Sequence, residues 1–117
     1  MPESLEVSVR QEGRVGIVET KGYINNIGAE NISEVCDNLM QKNVKHFLFN
    51  LAASRIINSI GISILIEVIE KVRETEGAVG FSNVTPTIAK TFRIMGLLKY
   101  STVYESMEEG LEALAND

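Results

Sequence analysis

The sequence predicts an α/β fold, a single domain over residues 1–117 with a mainly parallel sheet of about five strands, an antiparallel N-terminal strand and four helices. Three observations carry that expectation. In FLFNLAASRIINSIGISILIEVIEKV, Phe47, Phe49 and Leu51 recur every second residue with Leu48 apolar between them, the pattern of a central strand covered on both faces. From Ile62 the period changes, and Ile62, Leu65, Ile66, Ile69 and Val72 form the stripe by which a helix packs on a sheet. Finally, after an opening hairpin, strand and helix patterns alternate in the order β-β-α-β-α-β-α-β-α, which calls for parallel strands joined by right-handed crossovers.

Each element has its own local cause. Leu5, Val7 and Val9 alternate with Glu6, Ser8 and Arg10, giving an edge strand with one wet face. Gln11-Glu12-Gly13-Arg14 makes a tight turn with Gly13 at positive φ, and Val15 to Lys21 returns as the second strand until Gly22. A helix follows from about Ile27 to Lys42, capped by Asn25 or Asn26, with Glu30 expected in the first turn where the dipole favours negative charge. Gln41-Lys42-Asn43 closes it. After the Ser59 helix, Glu76-Gly77 is the stop and Ala78 to Ser82 the next strand. Thr85-Pro86 opens a helix with the stripe Ile88, Phe92 and Met95, ended by Gly96. Thr102 to Tyr104 is the last strand. Ser106-Met107-Glu108-Glu109 is a capping box for a final helix that turns Met107, Leu111 and Leu114 inward.

Composition removes several functions. The chain is long enough to bury roughly 65% of its unfolded surface in one core. A net charge of −5 with no clustered basic face disfavours nucleic acid or an anionic membrane surface as the main partner. The start MPESLEVSVR has neither the basic residues nor the apolar run of a signal peptide, and no apolar stretch is long enough to insert into a membrane, so a cytoplasmic location is expected. Cys36 is the single cysteine and shares a helical stripe with Ile32, Val35 and Leu39, the pattern of a small core residue. His46, also alone, stands at the mouth of the Phe47 strand, where a surface or capping role is expected. No catalytic residue, metal site or cofactor is expected. The chain has no GxxxxGK[ST], GxGxxG or GxSxG, and no second histidine to serve Ser59 as a base.

What remains is a recognition site at the carboxyl ends of the strands, where α/β sheets gather ligands and partners. The loops at Asn25, at Ser59 and at Asn83 to Thr85 should converge there, bringing Asn25, Asn26, Asn50, Ser54, Arg55, Asn58 and Ser59 to one end. Ser59 reads both as a helix N-cap and as an accessible hydroxyl among backbone donors that favour an anion. Gly61 would let a partner or a phosphate oxygen approach the backbone. Ile60 and Ile64 fall off the core stripe, beside Glu67 and Lys71, and serve either as a docking patch or as residues tucked under a neighbouring element.

These residues resemble a known family. The run FLFNLAASRIINSIGISIL is similar to the signature of the sulfate transporter and anti-sigma factor antagonist (STAS) domain, a strand ending in Asp-Leu followed by Asp-Ser-Ser-Gly-Leu at a helix start. Gly22-Tyr23-Ile24, Phe81-Ser82-Asn83-Val84, Phe92 to Leu97 and Ser106 to Leu111 match further family elements in order. The resemblance implies a stand-alone, non-enzymatic anti-sigma factor antagonist. Its partner would be an ATP-binding anti-sigma factor that is also a serine kinase, with a serine phosphatase reversing the modification, and it would regulate transcription indirectly. Ser59 matches the phosphorylated serine, and Asn25, Asn26, Asn58, Ser59, Ile60, Gly61 and Ile64 form the expected partner-binding set. The chain departs from the pattern at Asn50 and Asn58, where aspartates are usual, and at Ile60, where a small residue is common. The alternatives are a STAS accessory subunit, of a signalling assembly or a lipid-transport ATPase complex, that docks without phosphorylation, and a small-ligand or nucleotide sensor.

Overall fold

The computed structural model describes residues 5–116. The elements are β1 (Glu6–Glu12), β2 (Val15–Lys21), α1 (Asn26–Met40), β3 (His46–Ala53), α2 (Ser59–Glu74), β4 (Val79–Ser82), α3 (Pro86–Met95), a 3-10 turn (Leu97–Lys99), β5 (Ser101–Tyr104) and α4 (Met107–Ala115). The strands lie in the sequential order β1-β2-β3-β4-β5, with β1 antiparallel to β2 and the other three pairs parallel. The order and direction of the elements are those expected from the sequence, and β3 is central.

The sheet's two faces are unequal. Phe47, Phe49 and Leu51 of β3 join Val18, Val79 and Phe81 in a large core with the buried faces of α1, α2 and α3. Phe81 sits between Phe49, at 5.3 Å between ring centroids, and Phe92, at 4.9 Å. Such rings add roughly 1 kcal/mol per pair beyond the area they bury. Leu48, which points the other way, meets Val15 and Leu114 in a smaller core closed by α4 through Met107 and Leu111. The α4 cap is as predicted: Ser106 accepts from Glu109 N–H at 3.1 Å, while the Glu109 carboxylate reaches the Glu105 N–H at 3.3 Å.

Three expectations need correction, while the Glu76-Gly77 stop of α2 falls where expected. Because α1 begins at Asn26, Glu30 falls beyond the first turn, which holds no acidic residue. At the end of α2 it is Glu76 that adopts positive φ, 62°. Gly77 is needed for another reason, since a Cβ there would lie 1.9 Å from the Lys45 carbonyl oxygen. Met95 is exposed, because α3 is only ten residues long and the chain leaves the core at Gly96 after Phe92. His46 is buried rather than at the surface, and its Nδ1 accepts from the Ala78 N–H at 2.9 Å, joining the starts of β3 and β4.

Cys36 is a core residue as expected. Burial, reinforced by the neighbouring Asp37 carboxylate and only partly offset by Lys71, pushes its thiol up from 9.0 to about 12.

Candidate functional site

Because β2, β3 and β4 are parallel, the loops that follow them leave the sheet at one end. Two of these loops are joined through their backbones. Gly22 N–H donates to the Ala53 carbonyl at 3.0 Å, Ile24 N–H to the Ile56 carbonyl at 3.0 Å, and Asn58 N–H to the Ile24 carbonyl at 3.1 Å. Ile24 and Ile57 thereby form a parallel bridge beyond the strand ends. Under the bridge, the hydroxyls of Thr20 and Ser54 meet at 2.7 Å, which satisfies two buried polar groups with one another. The β4–α3 loop is tied in through Asn50. Its amide donates to Glu19 Oε2 at 3.2 Å, and its oxygen accepts from the Ala52 N–H at 3.0 Å and the Asn83 amide at 3.1 Å.

From this seam α1 and α2 start side by side, with the same local chemistry. Asn25 Oδ1 accepts from the Gly28 N–H at 2.9 Å, and Asn58 Oδ1 accepts from the Gly61 N–H at 2.7 Å. The sequences are Asn25-Asn26-Ile27-Gly28 and Asn58-Ser59-Ile60-Gly61, an Asn-x-Ile-Gly repeated at both helix starts. In each copy the asparagine is the cap, the next residue is the exposed first residue of the helix, the isoleucine points to solvent and the glycine is buried. Ile27 is 72% exposed and Ile60 57%.

The cap of α2 is thus Asn58 and not Ser59. The reason is geometric: with Asn58 N–H already held by Ile24, residue 58 is the one in extended backbone (φ −89°, ψ 171°) whose side chain can fold back over the first turn. Ser59 is freed by this arrangement and lies exposed at the first helical position. Gly61 also plays a different part from the one expected. It is buried, its N–H is taken by Asn58, and the space a Cβ would need is filled by the Ile24 carbonyl oxygen at 2.9 Å rather than left for a partner. Ile64 is half-buried and packs on the main core, so it belongs with the second of the two roles considered for it.

The expected site residues Asn25, Asn26, Asn58, Ser59 and Ile60 are brought together, with Asn26, Ser59 and Ile60 presented outward. Sequence reasoning missed Ile27, Ile56 and Tyr23, all exposed at this end. The repeated Asn-x-Ile-Gly was the signal that would have found Ile27. Arg55 is exposed and shares a shallow surface pocket with Gly22, Tyr23, Ala53 and Ile56. With Asn58 bonded to Gly61 and to Ile62 through its carbonyl, no acceptor meets the N–H of Ser59 or Ile60 among the described residues. Those two donors make the surface around the Ser59 hydroxyl mildly electropositive.

A model of the STAS domain matches residues 6–110. The chain belongs to the STAS domain family. Among solved structures, this STAS domain is similar to an anti-sigma factor antagonist from Mycobacterium paratuberculosis, with 22% identity and a TM-score of 0.84 over 98% of this chain and 97% of that one. It is also similar to the Bacillus cell fate determinant SpoIIAA in its phosphorylated form, with 17% identity and a TM-score of 0.74 over 92% and 98% of the two chains. A third neighbour is RsbS of Moorella thermoacetica carrying a serine-to-glutamate change, with 18% identity and a TM-score of 0.80 over 94% and 95%. At these identities the likeness establishes the shared fold. Among the described residues no helix is long and apolar enough to cross a membrane, and no group of three or more His, Cys, Asp or Glu side chains is placed to hold a metal ion.

Proposed function

We propose that this STAS domain is an anti-sigma factor antagonist whose docking face is the paired start of α1 and α2 and whose switch is phosphorylation of Ser59. The observation that carries the proposal is the exposed Ser59 hydroxyl at the first position of α2, flanked by exposed Ile60 and neighboured by Ile27. The partner is an ATP-binding anti-sigma factor that acts as the serine kinase, and a serine phosphatase resets the switch. Two of the fold neighbours bear on this: one was solved phosphorylated, and one carries glutamate in place of a serine.

The physics of the switch is local. In the unmodified protein Asn26, Ser59, Ile27 and Ile60 offer an uncharged face that a partner desolvates at little cost. A phosphate on Ser59 adds about −1.5 to −2 charges at that face. Within the free domain the Ser59 and Ile60 N–H groups and the helix dipole tolerate that charge. In a complex it has to be stripped of water against isoleucines, and binding is lost without any change of fold.

Mass spectrometry after incubation with the cognate kinase and ATP tests the proposal. The expected result is one phosphate, on Ser59, absent from Ser59→Ala. A pull-down titration should find Ser59→Asp binding the anti-sigma factor at least about tenfold more weakly than the unmodified protein. Absence of label at every serine removes the switch. One observation favours the accessory-subunit reading in that event: both positions where the family usually carries an aspartate are asparagines occupied in structural bonds, Asn50 with Glu19, Ala52 and Asn83, and Asn58 with Gly61. Unmodified binding to an ATPase subunit through Ile27 and Ile60 would then be the expected finding.

A further inference from the structure

The sheet has two edges, and among the described residues the longer one, β1, is paired on one side only. β1 gives that side to β2, with Glu12 opposite Val15, Arg10 opposite Ile17 and Ser8 opposite Glu19. The hairpin turns in two residues, Gly13 and Arg14, with Gly13 at φ 62°, so Glu12 and Val15 are a hydrogen-bonded pair. The even-numbered residues of β1 therefore turn their N–H and C=O groups toward β2, and those of Val7, Val9 and Gln11 point outward. Val9 is 46% exposed, although it shares a face with Leu5 and Val7, which pack on the main core.

The sequence of β1 is complementary to itself in one antiparallel register. With Ser8 opposite Ser8 of a second copy, Val7 faces Val9 of the copy and Glu6 faces its Arg10, each contact occurring twice about a two-fold axis. Val7 and Val9 carry the outward donors and acceptors, so they make the hydrogen-bonded pairs, and Glu6 with Arg10 makes the pair whose side chains stand closest. The neighbouring registers are worse. Centring on Val9 sets Glu6 opposite Glu12, centring on Arg10 sets Arg10 opposite itself, and centring on Val7 shortens the overlap and moves Glu6 from Arg10 to Ser8. Arg10 already reaches Glu19 within its own sheet at 3.5 Å, but that pair is exposed and long, and the remaining guanidinium donors can serve a second carboxylate.

Helix α1 fits the same arrangement. It lies over β1, where Gly28 meets Leu5, and its flank toward α2 is marked by Ser33 and Asp37, which meet Lys71. At about 100° per residue the opposite flank holds Asn31, Val35 and Asn38, while Glu30, Glu34 and Asp37 lie on other faces. On a chain of net charge −5, a two-fold axis beside β1 thus brings an uncharged flank of α1 up to its own image. We propose that β1 is a homodimerisation edge, at which two copies pair β1 to β1 antiparallel about Ser8 and join two five-stranded sheets into one continuous sheet. The parallel strands then run in opposite directions in the two halves. The surfaces around Ser59 point to opposite ends of the dimer, so both stay open and the pairing is indifferent to a charge on Ser59.

Sedimentation equilibrium and amide hydrogen exchange test this. The unmodified chain is expected to dimerise with a dissociation constant between about 10 μM and 1 mM, as an edge contact of modest area allows. The N–H groups of Val7, Val9 and Gln11 should gain protection as the dimer fills. Glu6→Arg alone and Arg10→Glu alone each set like charges opposite one another and should weaken dimerisation about tenfold or more. Mixed, the two variants should pair with each other, since each supplies the charge the other lacks. Both side chains are exposed, so circular dichroism should find both variants folded. The proposal is overturned if the unmodified chain stays monomeric through about 1 mM, if either variant dimerises as well as the parent, or if the mixture stays monomeric. It is overturned also if a dimer forms while those three amides stay unprotected, which would put the contact elsewhere. The same holds if an unrelated extended peptide of valine and threonine protects them as well as a second copy does, which would make β1 a general strand acceptor.

Discussion

Where strands β3 and β4 begin, the chain is packed to contact; where β2, β3 and β4 end, it is held by hydrogen bonds and left open. At the first end His46 is buried against Ala78, and Gly77 passes so close to Lys45 that no side chain fits. At the second, asparagines cap two helices, and serine and isoleucine side chains face water. The contrast shows how a small domain divides its labour. The packed end holds the strands together, and the recognition surface proposed at the open end is built from exposed side chains that the core does not need.

Substitutions at the two ends should therefore differ in kind. Gly77→Ala is expected to have the largest effect, since the backbone of residue 45 must move to admit the methyl; a loss of about 3 kcal/mol in urea unfolding is the expected outcome. A loss below about 1 kcal/mol would break the contrast.

The buried interior makes a second demand through Cys36. Its folded pKa, about 12, lies above the ordinary thiol value of 9.0, so below about pH 9 both folded and unfolded chains hold the proton and nothing is lost. Between about 9 and 12 the unfolded chain ionises while the folded one does not, and stability should fall by up to about 1.4 kcal/mol per pH unit from this group. Cys36→Ser should flatten that part of the pH profile. Alkylation of the native protein by iodoacetamide near pH 8 should be slow and should track opening of the fold.

At the open end the effects shrink. Asn58→Ala should cost about 1 kcal/mol by removing the α2 cap, whereas Asn58→Asp keeps the cap and should be nearly neutral in stability. Ser59→Ala should change stability by less than about 0.5 kcal/mol while abolishing any label at that position. A large stability loss in Ser59→Ala would sharpen the comparison the other way, by assigning Ser59 to the fold.

The sheet was legible in the sequence because two periodicities, two for strands and about 3.6 for helices, persist over most of the chain and switch at recognisable breakers such as Gly22, Gly77 and Gly96. The site was legible in part. That Ser59 would stand exposed at a helix start follows from the apolar stripe beginning at Ile62. Which residue caps the helix did not follow, because asparagine and serine cap equally well and the choice was made by the Asn58 N–H pairing with Ile24, a contact between residues far apart in the chain. For the same reason Gly61 was assigned to a partner when its neighbour is the protein's own backbone. His46 escaped because one residue at a strand mouth has no period to show its face, and Met95 because the stripe on α3 does not reveal where the helix leaves the core.

The backbone bridge of Ile24 with Ile57 has a consequence for how the domain is read by others. The leads into α1 and α2 are sewn to each other by three backbone hydrogen bonds, which fixes the spacing of the twin helix starts. Ile27 and Ile60 are therefore held at a separation set by the domain's own backbone, so whatever covers them meets one preformed surface and has no loop to order first.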